Sequence, residues 1–170
     1  MRVRILIGTL LVAVLAVAAR GQQNAPPPPE KAIPNVLNVT TKQVLDMAED
    51  FPAEKYEFKA TPEVRSFREV IIHAMSGTAF AGKIARGEQA QWDEIDAKGF
   101  KDKAAVVAEF KKLASGLETA MKALPAARFA SSPQPFLNVI EHTGEHYGQL
   151  VVYYRLNKMV PPASRPQPKK

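Results

Sequence analysis

The sequence predicts an all-α protein: a single four-helix bundle with a long connection after its second helix. Three observations carry that expectation. Apolar residues recur at three- and four-residue intervals through four stretches, with no run of strict alternation between them. Capping residues, glycines and prolines bracket those stretches. Finally, once the terminal segments of the 170-residue chain are set aside, about one domain's worth of sequence remains, enough for one core.

Residues 1–21 read as a secretory signal peptide. Arg2 and Arg4 precede an apolar run, Ile5 to Ala18, that is short for a membrane span, and Ala19-Arg20-Gly21 offers small residues around a cleavage site before Gln22. The expected location is periplasmic or secreted. No stable membrane anchor is expected, because there is no cysteine to carry a lipid; an uncleaved segment acting as a tether is the alternative. Residues 22–34, QQNAPPPPEKAIP, read as a Pro-rich linker, since Pro26 to Pro29 favour the extended polyproline conformation and remove backbone donors.

The bundle is expected over residues 35–160. Its first helix spans about 35–50, with Val36, Val39, Val44, Met47 and Phe51 spaced for one face and Pro52 as the stop. The second spans about 66–86, opened by the capping box Ser66-Phe67-Arg68-Glu69 and closed before Gly87. A third, about 102–124, carries Val106, Phe110, Leu113, Leu117, Met121 and Leu124, with five lysines on its outer side. The fourth runs from about 134 to 156, where Asn157 suits a C-cap. Val160-Pro161-Pro162 stops it, and residues 161–170 are expected to form a disordered tail. Residues 87–101 are too many for a tight turn and reach, when extended, about 45 Å, enough to carry the chain along the bundle. Short-turn up-down packing is the competing arrangement. Trp92 is expected to pin this connection to the bundle surface.

Composition excludes several classes of function. The formal charge of +6 suggests a nucleic-acid footprint until it is located: Arg2, Arg4, Arg20, Arg165, Lys169 and Lys170 lie in the terminal segments, and residues 22–160 hold 17 basic against 17 acidic side chains. A neutral body argues against nucleic acid as a partner. The absence of cysteine excludes disulfides, thiolate metal sites and a cysteine nucleophile. The partners left open are a small-molecule substrate and a second copy of the chain.

Only three histidines occur: His73 on the second helix, and His142 and His146 on the fourth. An i, i+4 pair stacks two imidazoles on one helix face, close enough to share a divalent ion. His73 lies on the stripe Val70, His73, Gly77, Phe80 and Ile84, which should face the core. Together the three would leave open positions for water or substrate, as a catalytic zinc, nickel or iron site requires. The plainer alternative is three satisfied core histidines. His142-Thr143-Gly144-Glu145-His146 also matches HxxEH, a metalloprotease pattern. That pattern needs a further acidic ligand downstream, and no Asp or Glu follows Glu145.

Other polar residues carry two readings each. Glu145 could flank the site as a proton acceptor or be solvated; Gln149, at i+3 from His146, could hydrogen-bond an imidazole or a bound water, or pack at the bundle edge. Tyr153, at i+7, could donate to a substrate oxygen or, like Tyr147, belong to the core edge. Glu69 could supplement a ligand, although the capping box explains it. Gly144 points away from the histidine face and would permit close helix packing.

Two segments, FKATPEVRSFREVIIHAMSGTAF and IEHTGEHYGQLVVYYRLNKMVPPASRP, resemble the DinB-like superfamily of small metal-binding helical bundles, in particular an exported branch with similar TPEVRSF, H-x-x-x-H-Y-G-Q and VPPAS segments. The similarity covers roughly residues 35–164. It implies an up-down-down-up four-helix bundle in which His73, His142 and His146 bind one divalent metal. It implies neither polymerase activity nor DNA contact. Characterised relatives include metal-dependent transferases and isomerases that use low-molecular-weight thiols. The expected function is therefore that of an exported metal-dependent hydrolase or transferase. The alternative is a non-catalytic binding module whose metal is structural or vestigial.

Overall fold

The structure, a computed structural model, describes residues 26–166. The predicted signal peptide, its cleavage site and residues 167–170 lie outside the described residues. Within them the protein is all-helical, with five α-helices, three short 3-10 turns and no strand. No described helix is long and apolar enough to cross a membrane.

Helix α1, Pro29–Asp50, begins inside the segment expected to be a linker. Residues 29–34 are helical, with Pro29 in the first turn and Pro34 within the helix. Proline at a helix start sacrifices only an N–H that would be unpaired anyway, and its φ is already helical. Ile33 and Leu37, both buried, reward the extra turns by packing in the same cluster as Leu117, Met121 and Phe136. Phe51 ends α1 in an extended conformation, before Pro52 and a 3-10 turn over Ala53–Lys55.

Helix α2, Phe67–Ala85, starts with the expected capping box: the Ser66 side chain accepts from the Glu69 backbone, and the Ser66 backbone N–H donates to Glu69 Oε2 at 2.6 Å. Two residues past its end, Gly87 adopts φ +81°, the left-handed conformation that glycine reaches without strain. Helix α3, Lys103–Ala123, is capped by Asp102, whose side chain accepts from the Ala105 backbone at 2.8 Å.

A short helix α4, Ala126–Ser131, lies in what the periodicity left as a connection. Six residues are too few to show a pattern; Phe129, buried and 5.8 Å from the Phe136 ring, holds it down. Helix α5 covers Gln134–Leu156 with Asn157 at its C-cap. The expected disordered tail is ordered as far as residue 166, where Pro162–Ser164 form a 3-10 turn and Arg165 pairs with Asp50 through two bonds of 2.7 and 2.5 Å.

The core has two parts. In one, Phe51 stacks on Phe67 with centroids 3.8 Å apart, and Phe110, Tyr153 and Tyr154 join them. The other gathers Ile33, Leu37, Leu117, Met121, Phe129 and Phe136. Polar contacts tie the helix ends together. Lys103 Nζ donates to the carbonyls of Glu49 and Phe51, at 2.6 and 2.7 Å. Arg68 donates to those of Ala97 and Phe100, at 2.6 and 2.5 Å. Tyr154 donates to the Met47 carbonyl at 3.1 Å. The histidines of α2 and α5 sit between the two halves of the core.

Candidate metal centre

His73, His142 and His146 converge. Their ring centroids are 4.4 to 4.8 Å apart, and one ligand nitrogen from each lies within 4.8 Å of the others. His142 and His146 share a face of α5 because four residues advance an α-helix by little more than one turn. The apolar stripe of α2 turns His73 toward them, so that the Nε2 atoms of His73 and His142, 69 residues apart, face each other at 3.0 Å.

The back of the cluster explains that orientation. His73 Nδ1 lies 3.0 Å from Glu94 Oε1, and His146 Nδ1 lies 3.0 Å from Gln149 Oε1. A carboxylate or amide oxygen can only accept, so each Nδ1 carries the proton and each Nε2 keeps its lone pair. His142 has no such anchor: its Nδ1 is buried without a partner, against the backbone of Gly77. A Cβ at Gly77 would stand 3.2 Å from that nitrogen and 3.2 Å from Trp92 Cη2, so any larger residue would press both rings outward by a few tenths of an ångström.

The electrostatics disfavour a charge on two of these rings, His142 and His73. Burial pushes the pKa of His142 down to about 4, and the neighbouring imidazoles push it further in the same direction. Burial also lowers that of His73, against the opposing pull of its bond to Glu94. Neutral imidazole is the form that ligates metals.

The donor set fits one divalent ion. Two nitrogens each about 2.0 to 2.1 Å from a common ion stand about 2.9 to 3.4 Å apart at octahedral or tetrahedral angles. The 3.0 Å pair of His73 and His142 lies in that interval, while the full set spans up to 4.8 Å, so the third nitrogen closes in when an ion binds. Two rings are already anchored through Nδ1 by outer groups, as ligating histidines usually are.

The other candidates are placed differently. Gln149 is at the site, on His146. Glu145 is exposed on α5 and, among the described residues, makes no hydrogen bond or ion pair with the cluster. Tyr153 is buried and donates its one proton to the Arg65 carbonyl, which leaves none for a substrate oxygen; burial raises its pKa. Glu69 serves the α2 cap. Tyr147 packs at the core edge. Gly144 is not a close-packing position: a Cβ there would meet nothing within 4 Å, and the close approach is made at Gly77 instead.

Two residues at the site escaped the sequence reading in this role. Trp92 does sit on the helices, with its ring 4.7 Å from His142, and Glu94 holds His73 while also lying 3.6 Å from Arg65. The connection is non-helical from 88 to 96, so residues two apart can point to the same side. Nothing in an aperiodic segment announces which side that is.

A helical fold with three convergent histidines and no thiolate defines a class, the small helical proteins with a histidine-only cluster that could hold a metal ion. A family model described as the DinB superfamily matches residues 37–153, most of the chain, and the chain belongs to that superfamily. No curated protein matches it.

Proposed function

We propose that this chain is an exported metal-dependent hydrolase or transferase of small molecules, in which His73, His142 and His146 hold one divalent ion. The observation that carries the reading is the 3.0 Å approach of two Nε2 atoms, with two of the three rings anchored from behind. A divalent ion at that point supplies charge that stabilises a developing oxyanion and acidifies an adjacent water or thiol. Glu94 and Gln149 keep the Nε2 lone pairs of His73 and His146 inward, and Glu94 adds negative charge beside a set of neutral ligands. Trp92 and Phe80 give one flank of the site an apolar wall.

The up-down-down-up order belongs to this reading. Its support is that the end of α1, the starts of α2 and α3 and the end of α5 are joined by the Lys103, Arg68 and Tyr154 bonds. Residues 87–101 then run back along α2, which places Trp92 and Glu94 at mid-height beside the histidines.

A non-catalytic metal-binding module is favoured by one observation. The carboxylate nearest the cluster, Glu94, is engaged by His73 and Arg65, and Tyr153 has given its proton to Arg65, so neither is a free base or acid. Metal analysis of the purified protein, followed by ester and thiol-conjugate substrate screens, decides between the two. One equivalent of metal with turnover that disappears in His142→Ala supports the enzyme, and metal without turnover supports the module. No bound metal under any loading condition removes the basis of both. Export is tested by N-terminal sequencing from the native host, where the mature chain should begin near Gln22.

A further inference from the structure

A cleft of about 450 Å³ opens directly beside the histidine cluster, with His73 and His142 in its lining. That volume is within the usual range for small-molecule sites, roughly 300 to 1,000 Å³. Phe80 of α2 and Trp92 of the connection form one wall, with their rings 5.9 Å apart. Trp92, the chain's single tryptophan, is 41% exposed although it touches His142 edge-on, so much of its ring is offered to the cleft rather than to the core. Holding so large an apolar ring in water is unfavourable, and no packing need is met by its open part.

The opposite rim comes from α5 and is polar. Asn138 accepts from Gln134 through Oδ1 at 2.6 Å, while its amide hydrogens make no hydrogen bond among the described residues. Glu141 is exposed and makes no hydrogen bond or ion pair among the described residues. No lysine or arginine lines the cleft, and Glu141 is its one acidic group. An anionic ligand body would thus meet a carboxylate and the negative faces of two aromatic rings. A cation would be favoured by both.

We propose that this cleft binds a small organic molecule with a flat apolar body and a cationic nitrogen, the flat part against Trp92 and Phe80 and the cationic end at Glu141. Its uncharged end then points to His73 and His142. As a substrate subsite this rests on the metal-centre reading above; as a binding site it does not.

The test uses the full chain, metal-free and zinc-loaded, titrated with benzyltrimethylammonium and followed by Trp92 fluorescence and calorimetry. The quaternary nitrogen has no lone pair, so the probe cannot bind through the metal. Tetramethylammonium lacks the flat body, and benzenesulfonate reverses the charge. Benzyltrimethylammonium should bind both forms of the protein, and in the metal-free form at least about tenfold more tightly than either control. Glu141→Gln, at an exposed position, should weaken the probe by about tenfold, and Trp92→Leu, read by calorimetry, by a similar factor. Equal affinity for benzyltrimethylammonium and benzenesulfonate in the metal-free protein, or an unchanged affinity in Glu141→Gln, would overturn the proposal. Loss of the metal reading looks different: no zinc is retained on dialysis, yet the probe still binds.

Discussion

Two polar clusters border the apolar core, one at the surface and one half-buried, and they are finished to different degrees. Around Asp50, Tyr154 shares its one proton between a carboxylate oxygen and the Met47 carbonyl, both at 3.1 Å, Arg165 grips both carboxylate oxygens, and Arg165 also donates to the Val160 carbonyl. Around His142, its Nε2 faces that of His73 at 3.0 Å and, with the His73 proton held on Nδ1 by Glu94, is the one that donates, while His142 Nδ1 is buried with no partner. The first arrangement is complete within the chain and ties the C-terminal segment to the end of α1. The second is held at its front by a single proton between two imidazoles, which a bound ion would replace, and leaves His142 Nδ1 buried and unsatisfied, which costs stability. The contrast separates a cluster that maintains the fold from one shaped for a ligand.

Substituting the middle of the second cluster should break the contrast most strongly. His142→Ala should lower metal affinity by more than about a hundredfold, since it removes one of three ligands, and should leave the urea midpoint of the metal-free protein nearly unchanged. Equilibrium dialysis with elemental analysis and urea denaturation read the two quantities. A large loss of stability without loss of metal would reverse the assignment.

Removing an anchor rather than a ligand should have a smaller effect. Glu94→Gln should reduce metal affinity about 10- to 100-fold, the usual cost of losing an outer partner of a ligating histidine. In nitrogen NMR of the metal-free protein, the His73 ring should change from a single Nδ1-protonated tautomer to a mixture. If tautomer and affinity are both unmoved, Glu94 does not orient His73.

The first cluster answers to stability alone. Asp50→Ala should destabilise the protein only modestly, by no more than about 1 kcal/mol, because Arg165 and Asp50 are solvated and Tyr154 retains the Met47 carbonyl. Metal affinity should not change. Chemical denaturation and dialysis on one preparation check both parts.

The sharpest separation lies in pH. His142 takes a proton below about 6.5 when unfolded and only below about 4 when folded. Between those values the unfolded state holds more protons, so this contribution is present above about 6.5 and is lost as pH falls toward 4. Asp50 has its pKa lowered chiefly by its bonds to Arg165, so its contribution is present above the ordinary carboxylate pKa and is lost only as pH falls below it. Denaturant unfolding of the metal-free protein should therefore show decline in two windows. The upper one should shrink in His142→Ala, with His73 supplying what remains, and the lower one should shrink in Asp50→Ala, with Glu69 supplying part of the remainder.

The helices were legible because their information is local. The spacing of Val44, Met47 and Phe51, the Ser66 and Glu69 capping box, Asp102 and Asn157 mark elements whose ends fall within a residue or so of the observed ones. The start of α1 was not, because Pro29 and Pro34 read as helix breakers until Ile33 and Leu37 have a core to enter. Nor was α4, where six residues and one buried phenylalanine carry no period. Tyr153 shows the limit for single side chains: its position on α5 suits a donor to substrate, but a carbonyl 88 residues away takes its proton.

By itself, then, the sequence determined an all-helical chain, the face shared by His142 and His146, and the apolar stripe that turns His73 inward. These follow from a helical period that relates residues three and four apart and needs no partner. Only the tertiary structure decided that the three rings meet, that Gly77 leaves room for His142 and Trp92, and that Glu94 of all the acidic residues stands behind His73. Each of those depends on where an aperiodic connection is laid across two packed helices. That placement is set by the sum of distant contacts, which no short stretch of residues encodes.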